Sequence, residues 1–157
     1  MKLIVYFTYT NNTKKIVDMI KDKVECDVLE LKSKIPYSND YDQVVNEEQN
    51  KESSENLIEL QDYSIDLNKY DTIILGTPVW WYRSTPAIRT FLKENDLSGK
   101  TIIPFATNAG WLGRTFNEIK KLGPNSNVKN EMNIVFESYS DKLVTAKYDI
   151  NNWISKL

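Results

Sequence analysis

The sequence predicts an α/β fold: a parallel sheet with helices packed on both of its faces. Two observations predict it. Residues 3–7, 72–76 and 100–106 are nearly continuous apolar runs, which is how a strand reads when both of its faces are covered. Strand-like and helix-like segments also alternate along the chain rather than clustering by type, and that order implies a parallel sheet with crossover helices.

Each element has its own signal. Residues 3–7 form the first strand, and a helix over 13–23 places Ile16, Val17, Ile20 and Val24 on one face. Residues 27–31 form a second, shorter strand whose alternation implies one wetter face. Residues 72–76 form the third strand, bounded by Gly76 and Pro78. A helix over 86–93 carries Pro86 in its first turn, where a missing amide hydrogen does no harm. Residues 100–106 form the fourth strand. Pro104 is awkward inside a central strand and implies a bulge or a strand end nearby. A helix over 115–122 is stopped by Gly123-Pro124. Residues 133–137 form the fifth strand and 149–157 a last helix, with Ile150, Trp153, Ile154 and Leu157 directed to the core.

Composition narrows the functional classes. A chain of 157 residues is read as one domain spanning 1–157. Its net charge of −2 argues against sequence-independent nucleic-acid binding, which needs a basic face. There is no histidine, which removes histidine general bases, serine–histidine triads and imidazole metal sites. The lone Cys26 forms no intramolecular disulfide and fits a reducing compartment. The apolar start of the chain is too short for a signal peptide or a membrane span. A cytoplasmic protein without membrane association is expected.

The chemistry concentrates in three loop-like segments, each directly after a strand. The first is Thr8, Tyr9, Thr10, Asn11, Asn12 and Thr13; the second is Thr77, Pro78, Val79, Trp80, Trp81 and Tyr82; the third is Thr107, Asn108, Ala109, Gly110, Trp111, Leu112 and Gly113. In an open parallel sheet such loops converge on one edge. The first segment opens a helix, whose free amide hydrogens and dipole attract anions. It holds no lysine or arginine, so a dianionic phosphate there would be bound by neutral donors. An ordinary Thr or Asn helix cap favours the same residues. The segment lacks the GxxxxGK[ST] and GxGxxG patterns, which weakens ATP and dinucleotide readings.

The second and third segments carry three of the four tryptophans. Consecutive residues point to opposite sides, so one of Trp80 and Trp81 is expected in the core and the other in the crevice. Trp111 is a candidate for the opposite face of a bound ring or for the rim. Gly110 and Gly113 permit the close backbone approach that a ring edge needs. A phosphate cradle beside an aromatic clamp describes flavin mononucleotide (FMN).

The ordered set of motifs resembles the flavodoxin family, specifically its short-chain, single-domain bacterial branch. The matching pieces are residues 6–13, Pro36-Tyr37 through Asp40-Tyr41, Tyr70-Asp71 leading to residues 76–81, Thr90-Phe91-Leu92, residues 97–101, Phe105-Ala106-Thr107, Gly110, Gly113 and residues 150–154. The resemblance implies a flavodoxin-like doubly wound three-layer sandwich with a five-stranded parallel sheet in order 2-1-3-4-5. It also implies FMN at the switch between strands 1 and 3; this order and this placement are taken from the family. By resemblance, residues 8–13 hold the phosphate, 77–82 flank one face and the edge of the isoalloxazine, and 107–113 cover the other side.

Two departures stand out. The family usually has glycine where this chain has Asn11, and asparagine tolerates the left-handed backbone better than most residues. It also commonly has glycine after the tryptophan pair, where this chain has Tyr82. In the family a peptide flip there stabilises the neutral semiquinone, and glycine eases the positive φ. Weak separation of the two one-electron steps is therefore expected.

The resemblance implies a small electron carrier acting by outer-sphere transfer, with no protein acid or base. Arg83 would raise the flavin potential if it lay near the ring; pointing outward it is a surface charge. Residues 36–69 hold nine acidic residues and one lysine before Lys69. They read as an exposed helix and loop with Tyr41, Val44 and Val45 on its buried stripe, a turn or solvated segment over 51–55, and a possible docking surface (the acidic 40–66 segment) for a basic redox partner. Two alternatives stay open. One is an FMN-dependent NAD(P)H reductase of a small acceptor. The other is a non-redox binding module on the same scaffold.

Overall fold

The computed structural model describes residues 1–51 and 55–157. Strand β1 (Lys2–Tyr6) leads into helix α1 (Asn12–Lys21), followed by β2 (Asp27–Glu30) and α2 (Tyr41–Gln49). Strand β3 (Thr72–Trp80) turns back on the short β4 (Arg83–Ser84) and is followed by α3 (Pro86–Glu94). Then come β5 (Thr101–Asn108), α4 (Thr115–Leu122), β6 (Asn127–Val128), β7 (Met132–Val135) and α5 (Lys147–Ile154). The sheet order is β2-β1-β3-β5-β6, with β7 also beside β5. Every pairing is parallel except that of β4 with β3. In sequence terms this is the expected order 2-1-3-4-5, with the fifth strand in two pieces.

Prolines explain two differences from the sequence expectation. The amide of Thr101 donates to Asp71 O and that of Lys129 to Ile102 O, so even-numbered residues of β5 face the fifth strand. Pro104 therefore lacks a hydrogen on that side, and it is opposite Ile103 and Pro104 that β6 stops, β7 starting only at Phe105. The interruption expected near Pro104 lies in the neighbouring strand, while β5 runs through unbroken. Pro78 does not end β3, contrary to the loop expected over 77–82. It sits on the β1 side past the last β1 pair, Tyr6 with Gly76, where no ladder bond is lost. Thr77 and Pro78 continue the pairing with Ala106 and Thr107 of β5. Thr107 and Asn108 likewise belong to a strand rather than a loop.

Strand alternation sends side chains to two cores. Leu3, Val5, Ile73 and Leu75 pack with Ile88 and Phe91 of α3 and Ile119 of α4. Ile4, Tyr6, Ile74 and Phe105 pack with Ile16, Val17 and Ile20 of α1 and Ile150, Trp153 and Ile154 of α5. Each such side chain contributes about 1.5–3 kcal/mol on burial. Gly76 is glycine for want of space: a Cβ there would collide with the Phe105 ring. Val44 is buried on α2 as the stripe requires, but Tyr41 is exposed. The turn expected over 51–55 falls on 52–54, outside the described residues. Among the described residues no helix is long and apolar enough to cross a membrane.

Candidate functional site

The carboxyl ends of β1, β3, β5 and β7 meet at one edge of the sheet, and there a crevice of about 560 Å³ opens. Its floor is the start of α1. Asn11 adopts φ +70° and gives that helix no side-chain cap. The first helical bond runs from Lys15 N to Asn11 O at 3.0 Å, so the amides of residues 12–14 precede the first intrahelical bond. Thr8 Oγ1 is buried without a hydrogen-bond partner among the described residues. The two lysines after the loop are engaged elsewhere: Lys14 Nζ lies 2.9 Å from Asp18 Oδ2, and Lys15 Nζ donates to Asp141 O at 3.0 Å. The Thr13 and Thr107 hydroxyls bond each other at 2.7 Å, tying α1 to β5.

An aromatic wall rises from this floor. Trp80 is packed edge-to-face by Phe7, Tyr9 and Tyr37, with centroids 5.6, 5.8 and 5.2 Å away. Its orientation is thus fixed from three sides, each contact adding about 0.5–1.5 kcal/mol beyond area burial. Burial first, and then the Glu48 carboxylate, push the Tyr37 phenol above its ordinary pKa. Across the crevice Trp111 is 62% exposed and meets Tyr82 edge-on at 6.2 Å.

The tryptophan pair divides differently from the expectation of one core and one crevice residue. Both are half-buried. Trp80 packs on the core while lining the crevice. Trp81 sits in the hairpin between β3 and β4, and its Nε1 donates to Val45 O at 2.8 Å. Trp81 and Tyr82, the two loop residues of that hairpin, have φ of +52° and +64°. That is the pattern of a type I′ turn, which ordinarily selects Asn and Gly. Tight neighbours hold it. Arg114 N donates to Tyr82 O at 2.8 Å, and a Cβ on Gly113 would collide with Tyr82. The close approach that Gly113 permits is therefore to the hairpin rather than to a ring. The Gly110 amide, too, is committed, donating to Asn108 Oδ1 at 2.8 Å.

Arg83 neither points outward nor reaches the crevice lining. It is buried behind the hairpin, its Nε donating to Glu118 Oε2 at 2.8 Å. Ser84 Oγ donates to Glu118 Oε1 at 2.5 Å, and Arg89 Nη1 lies 3.7 Å from the same oxygen. Burial first, and the neighbouring Arg83 second, draw the Arg89 guanidinium down to about 10.

Of the residues singled out in sequence, Tyr9, Thr10, Asn12, Thr13, Pro78, Val79, Trp80, Thr107, Asn108, Ala109 and Trp111 line the crevice. Trp81 and Tyr82 line an adjoining pocket of about 290 Å³. Thr77 does not line either; its hydroxyl is buried and accepts from Thr85 N at 3.1 Å. Sequence reasoning missed Tyr41 and Val45 on α2 and residues 136–141 after β7. Asn12 Nδ2 donates to Ser140 O at 2.9 Å, and Tyr139 packs edge-on against Tyr41 at 5.2 Å. The signal was present: the loop after the fifth strand reaches the same sheet edge as the other three.

A flavodoxin family model matches residues 1–157. The chain belongs to the flavodoxin family. Solved structures agree on the fold. A protein of Bacteroides eggerthii superposes with TM-score 0.78 at 22% identity, covering 99% of this chain and 96% of its own. A Lactobacillus acidophilus flavoprotein in complex with FMN gives 0.71 at 23% identity, covering 84% of this chain and 91% of its own. Oxidised flavodoxin 2 of Bacillus cereus gives 0.57 at 18% identity, covering 99% and 93%. Among curated proteins, none matches the chain in sequence. In this flavodoxin-family chain Asn11 holds the left-handed φ that the sequence resemblance led us to expect there.

Proposed function

We propose that the protein binds FMN in the crevice and works as a small electron carrier. One observation carries the reading: a single crevice joins an uncapped helix start, beside the orphaned hydroxyl of Thr8, to a wall built by Trp80. The residues present fit the group. The amides of Asn12, Thr13 and Lys14 and the Thr8 and Thr10 hydroxyls would hold the phosphate, with no cation needed. Pro78, Val79 and Trp80 would flank the ring on one side, and Trp111 would cover the other. Bound FMN supplies the one- and two-electron chemistry. The chain's residues orient it, exclude water from its inner face and fix the charge around it. That the Lactobacillus acidophilus relative is a complex with FMN supports the same ligand here.

The exposed acids Asp40, Asp42 and Glu47 lie on or beside α2, whose Tyr41 and Val45 line the crevice. A basic redox partner docking on this face fits the acidic segment, and its association rate would fall steeply with ionic strength.

The adjoining pocket favours one second reading, an FMN-dependent NAD(P)H reductase, since it leaves room beside Trp81 and Tyr82. Stopped-flow mixing of the FMN-loaded protein with NADPH separates the two. A carrier keeps its visible absorbance over seconds; rapid bleaching establishes the reductase.

A further inference from the structure

The pocket beside the crevice carries a chemistry that flavin binding does not use. It measures about 290 Å³ and shares Val45, Trp80 and Trp111 with the crevice, while Trp81, Tyr82 and Glu48 line it and not the crevice. Among the described residues Glu48 is the one charged group in that lining. It is 5% exposed, and Asn56 Nδ2 donates to its Oε2 at 2.6 Å. A carboxylate has about four acceptor sites, so this bond leaves capacity for a further partner. Arg89 also feels the Glu48 carboxylate but does not line the pocket; it donates to the backbone oxygens of Ser84, Glu55 and Asn56.

The rings around Glu48 stand there against local preference. Trp81 and Tyr82 fill both left-handed positions of the turn between β3 and β4, where Asn and Gly are usual. Trp81 is held by its bond to Val45 O. Tyr82 and Trp111 remain 45% and 62% exposed. Core packing does not call for large rings at strained positions that stay half in water, and backbone strain of this kind gathers at binding sites. Aromatic faces carry partial negative charge and attract cations. A flavin ring is neutral when oxidised and gains negative charge on reduction, so it is no counter-ion for Glu48.

We propose that this pocket is a site for a small organic cation of the ammonium or quaternary ammonium class. The rings of Trp81, Tyr82 and Trp111 hold it, and the Glu48 carboxylate supplies the opposite charge. The site lies beside the flavin site and is additional to the FMN reading.

The test follows the tryptophan indole N–H resonances of isotope-labelled protein by NMR, in the FMN-loaded form and in the apoprotein. The probes are choline and its uncharged carbon analogue, in which a tert-butyl group replaces trimethylammonium. Choline should shift the Trp81 and Trp111 signals saturably in both forms. Trp153, bonded through Nε1 to Asn130 O in the other core, should stay in place. The analogue should bind roughly tenfold more weakly. Glu48→Gln can still accept from Asn56 and should abolish that preference. Trp111→Ala should weaken choline several-fold without lowering the unfolding temperature, and it decides the matter should Glu48→Gln fail to fold. Equal binding of choline and the analogue, no saturable shift, or an intact preference in Glu48→Gln overturns the proposal. So does tighter binding of Nα-acetyl-lysine amide than of choline, which would assign the pocket to a partner's basic side chain. Choline binding that FMN abolishes would give the pocket to the flavin ring, overturning the proposal and leaving the functional reading intact. Protein that ignores FMN would overturn the functional reading, and the cation site is then judged on the apoprotein.

Discussion

Asn11, Trp81 and Tyr82 hold left-handed backbone, and each carries a cost that its surroundings must meet. For an ordinary L-residue that conformation costs about 1–2 kcal/mol. Asn11→Ala is therefore expected to lower stability by about 1 kcal/mol, and Asn11→Gly to leave it unchanged or raise it; urea unfolding of the apoprotein reads both. Tyr82→Gly should relieve the turn and, by the family resemblance, widen the gap between the two one-electron potentials, which a dithionite titration measures. An unchanged gap would remove Tyr82 from the account. Tyr6 belongs to a different class of cost. Burial first, and Glu30 second, raise its phenol to about 12, above the value near 10 of an unfolded tyrosine. The neutral form is favoured by folding, so its contribution is full below about pH 10 and lost as pH rises toward 12. Urea midpoints should fall across that window, and less so in Tyr6→Phe. These residues show what the sequence disclosed. Asn11 and Tyr82 were visible because they stand where glycine is usual. A left-handed φ was expected at both; what was not legible is the packing that holds Trp81 and Tyr82 there, the hairpin ladder and Gly113.

Among the elements, prolines and the fifth strand mark the limit of sequence reading. The apolar runs identified β1, β3 and β5 because strands covered on both faces have no alternation to misread. Pro78 suggested a loop, yet β3 continues to Trp80, since the missing hydrogen faces a side where no strand remains. Which side a proline faces depends on register, and register is a tertiary fact. The same holds for Arg83. Its place under the hairpin depends on Glu118, 35 residues away in sequence. The loop after β7 was missed because its residues are ordinary; only its position at the sheet edge makes it part of the site. At this scale Gly113→Ala is informative. An alanine there would have to hold a positive φ and would drive its methyl group into Tyr82, so the hairpin must shift. Loss of several-fold in FMN affinity is expected by isothermal titration; unchanged affinity would detach the hairpin from the site.

Across the whole molecule, order 2-1-3-4-5 gathers the separate signals at one edge. The sheet reverses direction of growth between β1 and β3, so the loop after β1 and the end of β3 diverge around a crevice. Helix α1 starts at its floor, the Trp80 wall stands on β3, and β5 ties to α1 through Thr13 and Thr107. The proposed anion capture and aromatic stacking would thus both follow from one topology. The measurement that tests this most directly is a titration of FMN, and separately of riboflavin, into the apoprotein, followed by quenching of tryptophan fluorescence. One equivalent of FMN should bind and quench, with riboflavin markedly weaker because it lacks the group that the start of α1 would hold. Equal affinity for the two, or no quenching by either, would contradict the account.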